Sequence, residues 1–132
     1  MANPTEGTFK VASWDETTYR ELEGQAKLTR ASITFDYQGD MEAKGSSELL
    51  MCYGQDGRAS YLGLEHVAGK VDGRSGSFVV ESQGTYDGQA ARTSWSVLPG
   101  SGTGELEGIT GTGRSVAGHG TEGTFSLEYR RP

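Results

Sequence analysis

Among the side chains of types that transfer protons in enzymes, two stand out by their positions in the sequence, Glu65 and His119. Glu65 shares a face of a predicted strand with Tyr61 and Val67, and Gly63 leaves room beside it. If that face is buried, desolvation raises the pKa of the Glu65 carboxyl and suits it to general acid–base catalysis; if it faces outward, Glu65 is a solvated surface residue. His119 is either an acid–base residue lining an interior or a hydrogen-bonded structural histidine. These two residues are the candidate catalytic pair.

Metal, cofactor and thiol chemistry are not indicated. The histidines, His66 and His119, have no partner at a spacing typical of metal ligands, so we predict no metal and no cofactor. Cys52 lies between Met51 and Tyr53, a setting that predicts a small buried hydrophobic residue rather than a nucleophile. Residues 118–123 match GxGxxG, but the segment that follows is a predicted strand, so a dinucleotide site is not expected.

Composition and charge limit the class of protein. The 132 residues carry a formal net charge of −6, which argues against binding nucleic acid. The one cysteine excludes an internal disulfide. The longest apolar run, residues 49–53, is far too short to span a membrane, and the amino-terminal residues do not resemble a signal peptide. We therefore expect a single domain over residues 1–132, in the cytoplasm and without a membrane partner.

Turn signals recur about every sixteen residues and divide the chain into strands. Asp-Gly and Gly-Asp pairs between alternating apolar runs predict hairpin turns, because both residue types tolerate a positive φ. The pairs are Gly39-Asp40, Asp56-Gly57, Asp72-Gly73 and Asp87-Gly88. The predicted strands cover residues 5–14, 28–37, 41–53, 58–69, 76–86, 89–98 and 119–129, with a short narrow strand around Leu106 and Ile109. Residues 15–24 are read as either a short helix or an irregular loop.

About eight sequential strands without helices predict an all-β fold, an eight-stranded antiparallel up-and-down barrel. Closure pairs the first strand with the last and removes two exposed edges. The glycine-rich segment 99–113 is read as the hinge at which the strand meander turns back to close on itself. A barrel of this size is either filled by its own side chains or holds one small ligand.

Alternation along the strands assigns the side chains to two faces. Four aromatic residues are the candidate ligand-binding residues: Tyr53, Tyr61, Tyr86 and Trp95. One set shares a face of its strand: Thr29, Ala31, Ile33, Phe35 and Tyr37. The predicted inward sets are Phe78, Val80, Ser82, Gly84 and Tyr86; Thr93, Trp95 and Val97; and Phe125, Leu127 and Tyr129.

Two of the predicted strands are apolar on both faces. Leu49, Met51 and Tyr53 oppose Leu50 and Cys52 in one strand, and Leu62 and Leu64 oppose Tyr61 and Val67 in the next. Because no helix is available to cover the second face, we expect part of the outer wall to be buried against another copy of the chain, making a homo-oligomer. Arg30 and Glu48 are read as surface charges rather than a buried pair.

Several short segments resemble those of a bacterial family of small proteins of unknown function. They are Ser13-Trp14-Asp15-Glu16, Leu28-Thr29-Arg30-Ala31-Ser32, Gly63-Leu64-Glu65, residues 73–78 and the glycine-rich stretch 99–106. That family is similar in fold to allene oxide cyclase and to dirigent proteins, which are eight-stranded barrels and often oligomers. The resemblance implies a barrel with an interior cavity and carries over no catalytic residue.

These features lead to two functional expectations. The first is a cofactor-free barrel that binds one small, mostly apolar molecule, with isomerase or cyclase activity as its catalytic form. The second is a non-catalytic ligand carrier or a self-associating structural barrel. A hollow interior would favour the first expectation, and a filled one would favour the second.

Overall fold

A computed structural model describes residues 3–118 and 122–131 of the chain. All of its regular structure is β-strand, as the alternation of apolar residues predicts. The strands are β1 (Asn3–Glu21), β2 (Lys27–Gly39), β3 (Met41–Tyr53), β4 (Ala59–Val71), β5 (Arg74–Tyr86), β6 (Ala91–Val97), β7 (Thr103–Gly104), β8 (Thr110–Ala117) and β9 (Glu122–Arg130). Within the described residues, no helix has the length and apolar character needed to cross a membrane.

The sheet closes into an eight-stranded antiparallel barrel. The order of strands is β4-β3-β2-β1-β9-β8-β6-β5, and β5 pairs back with β4. Closure joins the two ends of the chain, since residues 3–10 of β1 pair with residues 122–129 of β9. The two-residue strand β7 adds to β5 beyond the end of β6. The predicted all-β barrel is confirmed, including the pairing of its first and last strands.

The predicted turns occupy their expected places between the long strands. In the turn from β4 to β5, Asp72 and Gly73 have φ values of 50° and 82°. Two consecutive positive φ angles are typical of the tight hairpin turn that matches the twist of antiparallel strands. Asp72 also accepts hydrogen bonds from Thr5 (3.1 Å) and Tyr129 (2.5 Å), so this turn is tied to β1 and β9.

Strand β1 is longer than the sequence indicated. Residues 15–21 continue the strand, so the prediction of a helix or loop over residues 15–24 was wrong for most of that segment. The polar, acidic residues are tolerated because this part of β1 pairs only with β2 and is largely exposed. Its register against β2 slips at Ala12 and again at Tyr19, and each bulge reverses the inward and outward alternation.

The glycine-rich segment fills one end of the barrel. Its strand is formed by Thr103 and Gly104, so the prediction of a strand around Leu106 and Ile109 was wrong. Those two side chains are instead almost fully buried, and they belong to the same core cluster as residues such as Phe78 and Leu127. We call this the closed end. Apolar burial of these two side chains adds to the pairing of β7 with β5 in holding this segment in place.

The predicted inward sets are confirmed along β5, β6 and β9, and the β2 residues predicted to share a face lie together on the inside. Thr29, Phe78, Trp95 and Leu127 are buried, while their sequence neighbours point outward. The prediction that Cys52 is buried was wrong, because strict alternation in β3 places its thiol on the outer face. Arg30 and Glu48 form an exposed ion pair at 3.0 Å, as expected of surface charges.

Candidate functional site

The half of the barrel opposite the closed end contains a cavity of about 360 Å³, which we call the mouth cavity. Its lining comes mainly from inward-facing apolar and aromatic side chains near the strand ends. The lining residues are Phe9, Val11, Trp14, Ile33, Phe35, Leu49, Met51, Tyr53, Ala59, Tyr61, Tyr86, Ala91, Thr93, Ser115, Ala117 and Gly118. Both the volume and the apolar character lie within the range of small-molecule sites in proteins.

A second, smaller cavity of about 40 Å³ adjoins the mouth cavity, and we call it the niche. The two share part of their lining, namely Phe9, Phe35, Leu49, Tyr61, Thr93 and Ser115. The niche adds the side chains Tyr37, Ser47, Glu65, Ser82 and Trp95. One buried water needs roughly 10–15 Å³ of such space, so the niche holds a group of a few atoms at most.

Glu65 points into the barrel and lies in the niche with only 3% of its surface exposed. Its carboxylate accepts a hydrogen bond from the Tyr37 hydroxyl. Burial raises the pKa of Glu65 to about 7, although the Tyr37 hydrogen bond opposes this effect. Gly45 permits the arrangement, because a Cβ atom there would collide with the carboxylate and with the Tyr37 ring.

Ser82 is the second buried polar group of the niche. It is 5% exposed, and its Oγ atom has no hydrogen-bond partner among the described residues. Ser82 lies opposite Gly63 of β4, two positions from Glu65 on the same inward face. Residues in this diagonal relation on neighbouring strands are within reach of each other's side chains. Desolvating an unpaired hydroxyl costs stability, so this group is unusual for a protein interior.

Aromatic rings form the floor of the niche. Tyr37 packs edge-on against Trp95 and Phe125, with ring centroids 5.9 and 5.4 Å apart, and Trp95 stacks on Phe125 at 6.0 Å. Such pairs stabilise each other beyond the area that they bury. The floor separates the niche from the closed end and fixes the ring that carries the Tyr37 hydroxyl.

A hydrogen-bonded group borders the mouth cavity at its rim. The Glu16 carboxylate accepts hydrogen bonds from Thr29 (2.6 Å), Tyr53 (2.8 Å) and the Trp14 indole (2.9 Å). Burial alone would raise the pKa of Glu16, but the three hydrogen bonds and the nearby Lys27 outweigh it and keep the pKa below its ordinary value. Glu16 is therefore a charged residue that positions Tyr53 and the half-exposed Trp14 at the entrance.

The structure brings most of the predicted site residues together. Tyr53, Tyr61 and Tyr86 line the mouth cavity, and Tyr61 shares a 2.7 Å hydrogen bond with Thr93. Trp95 lines only the niche, and Glu65 takes the inward of its two predicted orientations. His119 lies outside the described residues.

Sequence reasoning missed four residues of the site: Tyr37, Ser82, Trp14 and Glu16. Alternation places Tyr37 and Ser82 inside, but nothing in the sequence shows that one bonds Glu65 and the other lacks a partner. Trp14 lines the cavity, and Glu16 takes an inward position on β1, only because of the bulge at Ala12. In the part of the chain that the structure describes, no three His, Cys, Asp or Glu residues cluster as metal ligands would.

The raised pKa of Glu65 makes stability depend on pH. Between about pH 4.5 and 7 the folded chain retains a proton that the unfolded chain has released, so the free energy of unfolding falls as the pH rises. We expect a loss of roughly 3 kcal/mol between pH 4.5 and pH 8, relative to the Glu65→Gln variant. Urea unfolding of both proteins across this range measures the difference. Parallel pH profiles would contradict the assignment.

Comparisons with known proteins agree with this architecture. The sequence profile of a family described as "Protein of unknown function (DUF3224)" matches residues 5–129. Among solved structures, the chain is similar to a protein of unknown function from the DUF3224 family of Shewanella oneidensis MR-1. The two share 29% sequence identity with a TM-score of 0.84, over 100% of this chain and 99% of that one. No curated protein matches the chain significantly.

Proposed function

Because this chain belongs to the DUF3224 family, whose function is unknown, we propose a function from the site alone: the barrel binds one small, mostly apolar molecule in its mouth cavity. The observation that carries the proposal is the cavity itself, about 360 Å³ of space lined by apolar and aromatic side chains above a closed end. Burial of apolar surface in such a cavity supplies the binding free energy.

Binding is tested with 2-ethylnaphthalene, an uncharged hydrocarbon of a size suited to the cavity. Equilibrium dialysis of the purified protein should give saturable binding of one molecule per chain, and the tryptophan fluorescence should change with the same saturation curve. Uptake that rises linearly with probe concentration, with no saturation, would mean partitioning onto exposed apolar surface and would overturn the proposal.

A catalytic form of this function is a cofactor-independent isomerase, and the position of Glu65 favours it. A carboxyl whose pKa is about 7 exists in both protonation states near neutral pH, which suits it to removing a proton and returning it elsewhere. Tyr37 holds the carboxyl in place, and the apolar surroundings exclude bulk water. Glu65 is then the catalytic residue, with Tyr53, Tyr61, Tyr86 and Trp95 shaping the space around the substrate.

Proton transfer by Glu65 is tested by hydrogen–deuterium exchange in D₂O with 2-acetylnaphthalene. The ionised Glu65 carboxylate would take a proton from the methyl carbon while the C–H electron pair moves toward the carbonyl oxygen, forming an enolate. The resulting carboxyl would exchange that proton with D₂O and return a deuteron to the methyl carbon as the carbonyl re-forms. We expect exchange at least tenfold faster with the natural protein than with Glu65→Gln, measured by mass spectrometry. Equal rates, at equal binding, would leave a non-catalytic carrier as the function.

Self-association is proposed for the outer face of β3 and β4. Leu50 lies opposite Leu62 across the two strands, and Leu62 and Leu64 are 57% and 51% exposed. A contiguous apolar patch of this kind is self-complementary about a two-fold axis.

We expect light scattering at micromolar concentration to give the mass of an oligomer, and the Leu62→Glu variant to give that of a monomer. The matched control is Thr124→Glu, which adds the same charge to the outer face of β9, on the far side of the barrel from β3 and β4, and should leave the mass unchanged. A monomeric natural protein would remove the proposal.

A further inference from the structure

We propose that the molecule bound in the mouth cavity carries one uncharged oxygen group, a carbonyl or hydroxyl, and that this group occupies the niche between Ser82 and Glu65. The inference rests on the proposed function, since it concerns the same bound molecule, and it specifies the chemical class of that molecule. The arrangement that points to it is a group of buried polar side chains in the niche, at the inner end of a mostly apolar cavity, of which the Ser82 hydroxyl has no hydrogen-bond partner among the described residues.

The proposal is supported first by the hydroxyl of Ser82, which has no hydrogen-bond partner among the described residues. A hydroxyl that is 95% buried loses its hydrogen bonds to water, and here no described residue replaces them. An oxygen atom placed in the niche would accept the hydrogen bond that Ser82 can donate. A hydrocarbon in the same position would leave the hydroxyl unpaired, so the site discriminates between the two.

Glu65 supplies the second partner. One oxygen of its carboxyl group already accepts a hydrogen bond from the Tyr37 hydroxyl, so the other oxygen is left to bond a group in the niche. In its neutral form the carboxyl donates a hydrogen bond, which a carbonyl or hydroxyl oxygen accepts. Together, Ser82 and Glu65 offer two donors from neighbouring strands to one oxygen atom, as bound ketones and alcohols require.

Charge and size exclude the other head groups. Among the described residues that line either cavity there is no Lys, Arg or His, so an anionic carboxylate or phosphate would be buried without a counter-charge. An ammonium group would need an ionised Glu65, and burial opposes that ionisation. A niche of about 40 Å³ also limits the head group to a few atoms.

The experiment compares four naphthalenes of similar size by equilibrium dialysis: 2-acetylnaphthalene, 2-ethylnaphthalene, 2-naphthoate and 2-naphthylmethylammonium. We expect the ketone to bind about tenfold more tightly than the hydrocarbon, which is the effect of one net hydrogen bond, and both ions to bind more weakly than the hydrocarbon. The ¹³C resonance of the bound carbonyl should shift downfield from its value in an apolar solvent.

Variants assign the effect to the niche. In Ser82→Ala the preference for the ketone should fall below threefold, and the downfield shift should decrease. The control, Ser60→Ala, removes a hydroxyl from the outer face of β4 and should retain the tenfold preference. Because Ser82→Ala removes an unpaired buried hydroxyl, we expect its melting temperature to be unchanged or higher, so lost preference is not lost folding.

The outcomes separate the two proposals. Equal binding of ketone and hydrocarbon overturns the niche assignment and leaves the proposed function intact. This is the result expected if a water molecule, rather than the head group, occupies the niche. Tightest binding of either ion also overturns it. Failure of all four probes to bind saturably overturns the proposed function together with the inference that rests on it.

Discussion

Replacing Ala117 with tryptophan is expected to abolish probe binding while leaving the barrel folded. Ala117 is the last residue of β8, and its side chain lines the mouth cavity beside Ser115. An indole at this position would occupy the space that the bound molecule needs. Because this residue is only partly buried, the larger side chain can be accommodated toward the entrance without disturbing the core.

We expect the dissociation constant of 2-ethylnaphthalene to rise by about 100-fold or more, which corresponds to roughly 3 kcal/mol of steric conflict. The matched control is Val116→Trp, one residue earlier in the same strand, whose side chain points outward. Its affinity should stay within threefold of the natural protein. Equal loss of binding in both variants would place the probe on the outer surface and contradict the cavity assignment.

Truncating Leu106 to alanine is expected to cause the largest loss of stability among single apolar truncations in the glycine-rich segment. The side chain is 1% exposed and packs into the core cluster that fills the closed end. Removal of a fully buried leucine side chain costs about 2–5 kcal/mol, because the cavity that it leaves collapses only in part. Urea unfolding at one fixed pH measures this loss.

The control for this prediction is Val116→Ala, which truncates an exposed valine on the outer face of β8. We expect it to cost less than about 1 kcal/mol. Leu106→Ala should also keep its affinity for 2-ethylnaphthalene at low temperature, because the mouth cavity lies at the other end of the barrel. Similar losses in the two variants would mean that Leu106 does not hold the closed end together.

Much of the fold follows from features that are local in sequence. The Asp-Gly turns and the two-residue alternation are sufficient to predict β2 to β6 and β9 and the inward faces of β5, β6 and β9, but β8 was not predicted as a strand. Strand register is harder to predict where one extra residue shifts it. The two bulges of β1 are invisible in a polar sequence, because both faces of that segment look alike. The same ambiguity led to the prediction of a helix or loop over residues 15–24.

The site was predictable only in part, for a related reason. Alternation places Glu65 and Tyr61 on one face of β4. It does not show whether that face is inside, because the opposite face carries the apolar residues Leu62 and Leu64. The same pattern made Cys52 look buried, although β3 places it outside. The contact of Tyr37 with Glu65 joins residues 28 positions apart and depends on the three-dimensional register of β2, β3 and β4.

The bulge at Ala12 shifts the inward and outward alternation of β1 by one residue and so decides which side chains face the entrance. Before it, Phe9 and Val11 face the interior; after it, Trp14 and Glu16 do, although an uninterrupted strand would turn them to the solvent. Deleting Ala12 alone would therefore remove the bulge without changing any pairing partner, because Val11 and Ser13 already face the consecutive residues Phe35 and Thr34 of β2. Trp14 and Glu16 would keep their inward positions on a strand that alternates without interruption.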